Sequence, residues 1–590
     1  MQGGISLYNT GSAFLEALQE AGVSYIFANL GSDHPAIIEN LAIAKKENKE
    51  LPEIITCPHE FVALTAAQGY AQATGEPQAV IVHVECGTQN LGGAIHNAYK
   101  SRVPVLVFAG ASPYTQENEL AGSRNEFIHW IQDVFDQRGI MRGYTKYDNE
   151  IRTGANVKQL VHRALQIAKS DPKGPVYLMG PREVMEEPAM PVEIQKELWE
   201  PISPGAISPQ KIKELTNDLL SAKNPLVVTS YLGRKKEAVE ELVRLCERLA
   251  IPVIESIPSY MNFPSNNPMH CGSYWNTEKQ IKVLDEADFI LVLDSDVPWI
   301  PVRNKPSNNA TIYYIDVDPL KEQMPLWYIP SKRFFKADAY TALQQINDYL
   351  DKNSDIDQGA VSQRWEKHSE YHNLQAEEKY MIEKAESDVI TPEFLTACIR
   401  EITDENTIVL NEGITSHEVI SNHIGATIPG SYYGSPAGSL GWNGGAAIGM
   451  KLANPDKTVI SLTGDGSFLF SIPSTVHWMA KRYNTPFLTV IYNNSGWKAP
   501  KQSTLGVHPH GIAKQTEEFF VHFDPPADLS KIAAAAGEAH PIMVKNRSDL
   551  KNALKEGLQF VKQGRSAVID VYIPHVYTAE NTTTYAKETV

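Results

Sequence analysis

The chain has 590 residues, with 53 Lys and Arg against 70 Asp and Glu and a formal net charge of −17. This length predicts about three or four domains of roughly 150 residues each. The acidic balance and the lack of any Lys/Arg block argue against a nucleic-acid or membrane surface, and no apolar stretch is long enough to span a bilayer. Small-molecule chemistry is left as the default. The N-terminus reads as a short lead-in to an amphipathic helix, not as a secretory leader. In the first block the expected strands are SYIFANLG, EIITCPHE, AVIVHV, PVLVFAG and GPVYLMG, with helices such as FVALTAAQGYAQATG between them. Short Val/Ile-rich runs alternating with helical segments are the mark of parallel sheets covered on both faces. Five widely spaced cysteines (Cys57, Cys86, Cys246, Cys271, Cys398) include no C-x-x-C pair, so neither a disulfide framework nor a zinc site is expected. A reducing, cytoplasmic setting fits them.

The second block offers NPLVVTSYLG, IPVIESI, ADFILVLDSD and ATIYYIDVD as strands, separated by helices such as KEAVEELVRLCERLA. A polar connector, DKNSDIDQGAVSQRWEKHSEYHNLQAEEKY, reads as a linker that packs partly as helix. The third block then supplies TIVLNEG, KTVISLTGDG, FLTVIYNN and SAVIDVYI. The fold class is therefore α/β, with three open parallel-sheet domains at 1–188, 205–355 and 375–575, followed by a frayed tail at 576–590. The first and third blocks look like the same kind of domain.

In open parallel sheets ligands gather at the carboxyl ends of strands. Asp465 ends one apolar run, and Asn493 and Asn494 end the next. One carboxylate, one carboxamide oxygen and a backbone carbonyl form a partly filled, hard oxygen shell. Such a shell suits Mg²⁺ completed by phosphate oxygens. Gly464 and Gly466 flank Asp465 and permit close backbone approach, and the helix expected after Asp465 can present free N–H groups to a diphosphate.

With 26 residues between GDG and NN, the chain resembles the thiamine diphosphate-dependent decarboxylase and carboligase superfamily, which includes acetolactate synthase and benzoylformate decarboxylase. The resemblance covers nearly the whole chain and implies pyrimidine-binding, central and diphosphate-binding domains in that order. It implies thiamine diphosphate and Mg²⁺ as cofactors, with Asp465 and Asn494 as side-chain metal ligands and Gly496 as the backbone-carbonyl ligand. Asn493 would support the turn. In CPHEFVALTAAQGYAQATG it implies Glu60 as the activating glutamate, whose carboxyl group drives the aminopyrimidine to remove the thiazolium C2 proton. In GSPAGSLGWNGG it implies Gly438 in a cofactor-binding turn and Leu440 as the wedge that keeps the coenzyme bent. Ile414, Thr415 and Ser467 become cofactor neighbours. Because Glu60 and the metal motif lie in different domains, a homodimer or homotetramer with sites at the subunit interface is implied.

The reaction depends on what lies above the thiazolium. His83 follows Glu60 by 23 residues, in a GT-x-N context that resembles benzoylformate decarboxylase-like enzymes, where a neutral imidazole would handle a proton or steer the substrate. Acetolactate synthases usually carry Gly-Pro-Gly in this region, and this chain has Glu85-Cys86-Gly87. Ser32, Asp33, His34, Gln89, Asn90 and Trp497 are candidates for a substrate pocket, Lys498 for its far wall, and His59 for packing. Asp294 and Asp296 stand where a flavin diphosphate would approach the central domain, and two carboxylates there would repel it, so FAD is not expected. The expected activity is decarboxylation of a small-molecule 2-oxo acid, ligation of the product to a second carbonyl compound such as an aldehyde, or both. The alternative is an acetolactate synthase-like condensation of two 2-oxo acids, and a scaffold without catalysis is disfavoured by Glu60, Asp465 and Asn494 together.

Overall fold

The computed structural model describes residues 8–277, 280–353, 356–435 and 437–574. The lead-in before Tyr8 and the expected tail at 576–590 lie outside the described residues.

Six strands, β1 (Tyr25–Ala28), β2 (Glu53–Thr56), β3 (Gln78–Val82), β4 (Val105–Ala111), β5 (Tyr147–Glu150) and β6 (Val176–Pro181), make a sheet of order β2-β1-β3-β4-β6-β5. The next six, β7 (Pro225–Thr229), β8 (Val253–Ser256), β9 (His270–Tyr274), β10 (Phe289–Leu293), β11 (Thr311–Asp316) and β12 (Arg333–Lys336), are ordered β12-β11-β10-β7-β8-β9. The last six, β13 (Thr407–Glu412), β14 (Tyr432–Gly434), β15 (Thr458–Gly464), β16 (Leu488–Asn493), β17 (His540–Val544) and β18 (Ala567–Tyr572), are ordered β14-β13-β15-β16-β18-β17. All pairings among these strands are parallel. The first and third sheets share one strand order, as their similar sequence patterns imply. Central strands such as β3, β4, β10 and β16 are buried along their whole length. Each fully buried Val, Ile or Leu there contributes about 1.5–3 kcal/mol.

Five strands escape the sequence reading: β5, β9, β12, β14 and β17. All five lie at sheet edges. Edge strands do not require a continuous apolar run, and YDNE, HCGSY, RFFK and YYG do not contain one. The polar connector is partly helical, as expected: a helix of 27 residues, Gln358–Lys384, takes up its later part and runs past it, its start capped by Asp357 accepting from the N–H groups of Gly359 and Ala360.

The chain divides into two compact units. One comprises Met1–Ser203, Ser435–Asp456 and Ser471–Thr485 and carries the first sheet. Within it the helix Glu60–Thr74 lies against the helix Trp442–Ala453 along a glycine seam. A Cβ at Gly69 would strike the Ala446 backbone, one at Gly449 the Ala66 carbonyl, and one at Gly445 the Thr65 side chain. The second unit comprises Pro204–Gly434, Lys457–Phe470 and Pro486–Val590 and carries the other two sheets. All five cysteines are free, and only Cys86 is exposed. Among the described residues no helix is long and apolar enough to cross a membrane.

Candidate functional site

At the carboxyl edge of the third sheet, β15 ends at Gly464 and Asp465 is the first residue of a short helix, Asp465–Phe470. The helix expected over SFLFSIPSTVHWMAKR is thus two helices, the second being Pro473–Arg482. The neighbouring strand β16 ends at Asn493, so Asp465 and Asn494 come to one edge as the sequence implies. Asp465 is 3 % exposed. Its Oδ1 accepts from the Gly466 N–H at 2.9 Å and its Oδ2 from the Gly496 N–H at 2.8 Å. Burial pushes its carboxyl above the usual carboxylate range, while the N–H groups of Gly466 and Gly496 pull the other way. Among the described residues no cationic side chain pairs with it, so the buried charge is held by backbone dipoles alone.

The loop after β16 is folded tightly. Asn493 Oδ1 accepts from the Ser495 N–H at 3.0 Å, and Ser495 takes a left-handed φ of 60°. Gly496 then bridges to His522, and a Cβ at Gly496 would collide with the Val521 carbonyl. Asn493 Nδ2 donates to Asp570 Oδ1 on β18 at 2.8 Å. Burial pushes the Asp570 carboxyl up to about 6. The sequence reading passed over Asp570, although a carboxylate within the apolar run SAVIDVYI was a visible signal.

The two glycines of GDG differ. Gly466 leaves room for the Trp497 indole, because a Cβ there would lie 2.7 Å from Trp497 Nε1, whereas nothing approaches Gly464 within 4 Å of such a Cβ. Trp497 is 40 % exposed and stands edge-on to Phe523, with ring centroids 5.1 Å apart. Lys498 is partly buried, which lowers its pKa. Ser467 is buried, Ile414 is half-buried and Thr415 is exposed, the last two in a 3₁₀ turn after β13.

In the first unit, β2 leads through Cys57-Pro58-His59 to Glu60, the first residue of its helix. His59 caps that helix by accepting from the Phe61 N–H at 3.2 Å, which specifies the packing role expected of it. Glu60 is 8 % exposed, and its Oε2 accepts from Asn90 Nδ2 at 3.1 Å. Gln89 instead donates to Glu85, within the helix Val84–Gln89. His83 is the residue between β3 and that helix. Its Nδ1 lies 2.6 Å from Asp33 Oδ1, and its Nε2 lies 2.9 Å from Gln132 Oε1. Asp33 Oδ1 is also 3.0 Å from His34 Nδ1, and its Oδ2 accepts from the Val84 N–H. Burial works against the Asp33 charge, but His34, His83 and that N–H together hold its carboxyl below the usual range. The hydrogen bond to the Asp33 carboxylate raises the pKa of His83, and burial lowers that of His34. Ser32 lies 3.3 Å from His129, whose ring contacts the buried Arg182. Gln132 sits in the segment EFIHWIQDVFDQ, which the sequence reading passed over. In the same unit Gly438 has a left-handed φ of 80° and Leu440 is half-buried. Their loop is tied to the helix Gly92–Lys100 by His96 on the Ala437 carbonyl and by Asn97 on Ser439.

The strand order of the central sheet reverses between β7 and β10, the crevice where open α/β sheets take nucleotides. Here it carries buried ion pairs. Lys321 is 2 % exposed; its Nζ lies 2.7 Å from Asp316, 2.8 Å from Asp296 and 3.0 Å from the Tyr231 hydroxyl. Arg234 lies 3.2 Å from Asp294. The two carboxylates read from the sequence as repelling a flavin diphosphate are paired with cations, so bare negative charge does not stand there.

Three family models match the chain: the thiamine pyrophosphate enzyme N-terminal TPP binding domain over residues 8–140, the central domain over 212–346 and the C-terminal TPP binding domain over 413–571. The chain is 26% identical over 587 residues to an acetolactate synthase large subunit of Buchnera aphidicola subsp. Schlechtendalia chinensis, covering 95% of each. It is 25% identical over 557 residues to a benzoylformate decarboxylase of Pseudomonas aeruginosa, covering 93% of this chain and 96% of that one. Its fold is that of a thiamine diphosphate-dependent 4-hydroxybenzoylformate decarboxylase from Rhodococcus jostii RHA1, with a TM-score of 0.76, 22% identity and coverage of 97% and 100% of the two chains.

Proposed function

The chain belongs to the thiamine pyrophosphate enzyme family, and from that premise we propose that it decarboxylates a 2-oxo acid with thiamine diphosphate and Mg²⁺. The buried Asp465 carboxylate supports the metal. A charge this buried, with only N–H donors around it, is costly until a cation offsets it. Asp465, Asn494 and the Gly496 carbonyl would hold Mg²⁺, a set of hard oxygens left incomplete for phosphate oxygens to fill. Ile414, Thr415, Gly438, Leu440, Gly464, Gly466, Ser467 and Asn493 are the proposed cofactor neighbours.

When bound, thiamine diphosphate supplies a carbon nucleophile for the 2-oxo carbonyl and takes up the electron pair left as CO₂ departs. Glu60 would hold the proton exchanged with the aminopyrimidine ring, and Asn90 donates to the carboxyl group that would do so. His83 carries the reading toward decarboxylation, because it provides a titratable group at the carboxyl end of β3. Ser32, Asp33, His34, Gln89 and Trp497 remain the proposed surroundings of the substrate. Two or four copies would form the working enzyme, and the free thiols support a cytoplasmic setting. The ion pairs of Lys321 and Arg234 at the crevice of the central sheet support a flavin-free enzyme.

The test is to supply benzoylformate or pyruvate with thiamine diphosphate and Mg²⁺. Free aldehyde with CO₂ is expected. Acetolactate from pyruvate would favour the synthase reading, and CO₂ from neither acid would refute the proposal for these substrates.

A further inference from the structure

Arg182 follows β6 directly and is 8% exposed, yet no step of the proposed chemistry uses it. Its Nη1 donates to Asn125 Oδ1 at 3.1 Å and lies 3.2 Å from His129 Nε2. Neither partner brings a negative charge. Burial first and the Arg182 charge second push the His129 pKa down, so that ring stays neutral. Among the described residues no carboxylate lies within ion-pair distance of Arg182, and its buried Nε has no hydrogen-bond partner. The acids beside it in the chain do not serve. Glu183 Oε1 accepts from the N–H groups of Tyr114 and Thr115 and from the Thr115 hydroxyl at 2.7–2.9 Å. Glu186 feels the Arg182 charge, but burial acts on it more strongly and raises its carboxyl pKa. A guanidinium this buried is costly without a counter-charge, and its planar fork fits a carboxylate through two parallel N–H···O bonds.

Arg182 belongs to the candidate site by position. At the carboxyl edge of the first sheet it stands after β6, with Ser32 after β1, His83 after β3, and His129 and Gln132 after β4. These residues form a connected row. Ser32 Oγ lies 3.3 Å from His129 Nε2, and the next residue, Asp33, has its Oδ1 2.6 Å from His83 Nδ1. Three residues beyond His129, Gln132 Oε1 lies 2.9 Å from His83 Nε2. The segment that carries His129 is also laid closely on Arg182. Gly122 has a left-handed φ of 92°, and a Cβ there would lie 3.1 Å from the Arg182 carbonyl carbon.

We infer that Arg182 is a specificity-determining residue that receives, beside Ser32 and His129, a second carboxylate carried by the 2-oxo acid. The substrate class is then the 2-oxo dicarboxylates. This deepens the function proposed above and rests on it. The carboxylate lost as CO₂ is not the one held, because an arginine gripping it would stabilise the ground state and oppose its departure. The distal carboxylate stays through the reaction, accepts from the guanidinium N–H groups and offsets their charge.

The test titrates the full-length protein, without added thiamine diphosphate or Mg²⁺, with 2-oxoglutarate and with 2-oxopentanoate, which has the same carbon chain but no second acid. Isothermal titration calorimetry should show 2-oxoglutarate bound about tenfold or more tighter by the wild type. Arg182→Gln should abolish that preference, and Arg182→Lys should keep part of it. Equal affinities in the wild type, binding of neither acid, or a preference that survives Arg182→Gln overturns the inference. If Arg182→Gln does not fold, Arg182→Lys and Ser32→Ala decide it: both should narrow the preference, and an unchanged preference in both overturns it. A second copy of the chain could supply a carboxylate instead. Arg182→Gln would then weaken the oligomer in size-exclusion chromatography and leave the preference intact, which also overturns the inference. With thiamine diphosphate and Mg²⁺ added, the preference should appear as a KM for 2-oxoglutarate about tenfold or more lower, with kcat little changed. Failure to release CO₂ from either acid would count against the proposed function alone, because the titration needs no turnover.

Discussion

Asp465 and Gly496 are joined across two adjacent strand ends: the Gly496 N–H donates to Asp465 Oδ2 at 2.8 Å, although 31 residues separate them. The bond ties the end of β15 to the loop after β16 and orders the carboxylate before any ligand arrives.

Asp465→Asn and Asn494→Ala should each abolish the thermal stabilisation that thiamine diphosphate and Mg²⁺ confer together. In the wild type that stabilisation is about 2.7 kcal/mol at a hundredfold excess over Kd. Because the unliganded Asp465 carboxyl titrates above its usual range, Mg²⁺ must displace a proton at low pH. The stabilisation should therefore grow as pH rises through that pKa. Differential scanning fluorimetry at several pH values checks both points; a full shift in Asp465→Asn would contradict the metal assignment.

Glu60→Gln should lower kcat about 10²- to 10⁴-fold yet keep the cofactor-dependent thermal shift. Steady-state rates with benzoylformate or pyruvate, measured beside the melting curves, separate a lost proton carrier from a lost binding site. Undiminished turnover would remove Glu60 from the mechanism.

Asp570 carries an opposite stability sign from a salt-bridged carboxylate. Its folded pKa, about 6, lies above the ordinary Asp value near 3.9. The folded form is thus penalised as pH climbs from about 4 to about 6, and the penalty is complete above that. Asp570→Asn should remove it and stabilise the protein at pH 7 by about 1–3 kcal/mol, with little effect near pH 3. Urea unfolding at the two pH values measures the difference. Equal effects at both would place the cause elsewhere.

Lys321 Nζ lies 2.7 Å from the buried Asp316 carboxylate in the central crevice. Lys321→Met should destabilise the protein by about 3–5 kcal/mol, because it removes one partner of a buried ion pair. The wild type should purify without the visible absorbance of a flavin and gain none on incubation with FAD. Stoichiometric flavin in the purified protein would show that the crevice opens.

The sequence carried the inner architecture well. Strands such as β10 and β16 must be apolar along their length because both faces are covered, and the GDG and NN motifs mark strand ends directly. Edge strands such as β5 and β12 were hidden because pairing on one side leaves polar residues acceptable. The bounds of the Gln358–Lys384 helix, expected only as a partly helical linker, were hidden by a mostly solvent-facing composition, in which only His368 and Glu383 are buried. Within the candidate site, single residues could be named but not their partners. Asp33 and His83 are 50 residues apart, and Gln132 reaches His83 from a segment that the sequence reading passed over. Asp570 is of the same kind, since its role depends on a strand neighbour that only the sheet order supplies.

The glycine seam between the helices Glu60–Thr74 and Trp442–Ala453 has a mechanical meaning. Where side chains separate two helices, a change at one position can be absorbed by a rotamer shift. At Gly69 and Gly449 backbone meets backbone, and no such cushion exists. A methyl group added there must move the whole helix, and Glu60 rides at its end. Drift in this sequence is therefore constrained by size along the seam, while the exposed ends of the sheets are free to vary in chemistry.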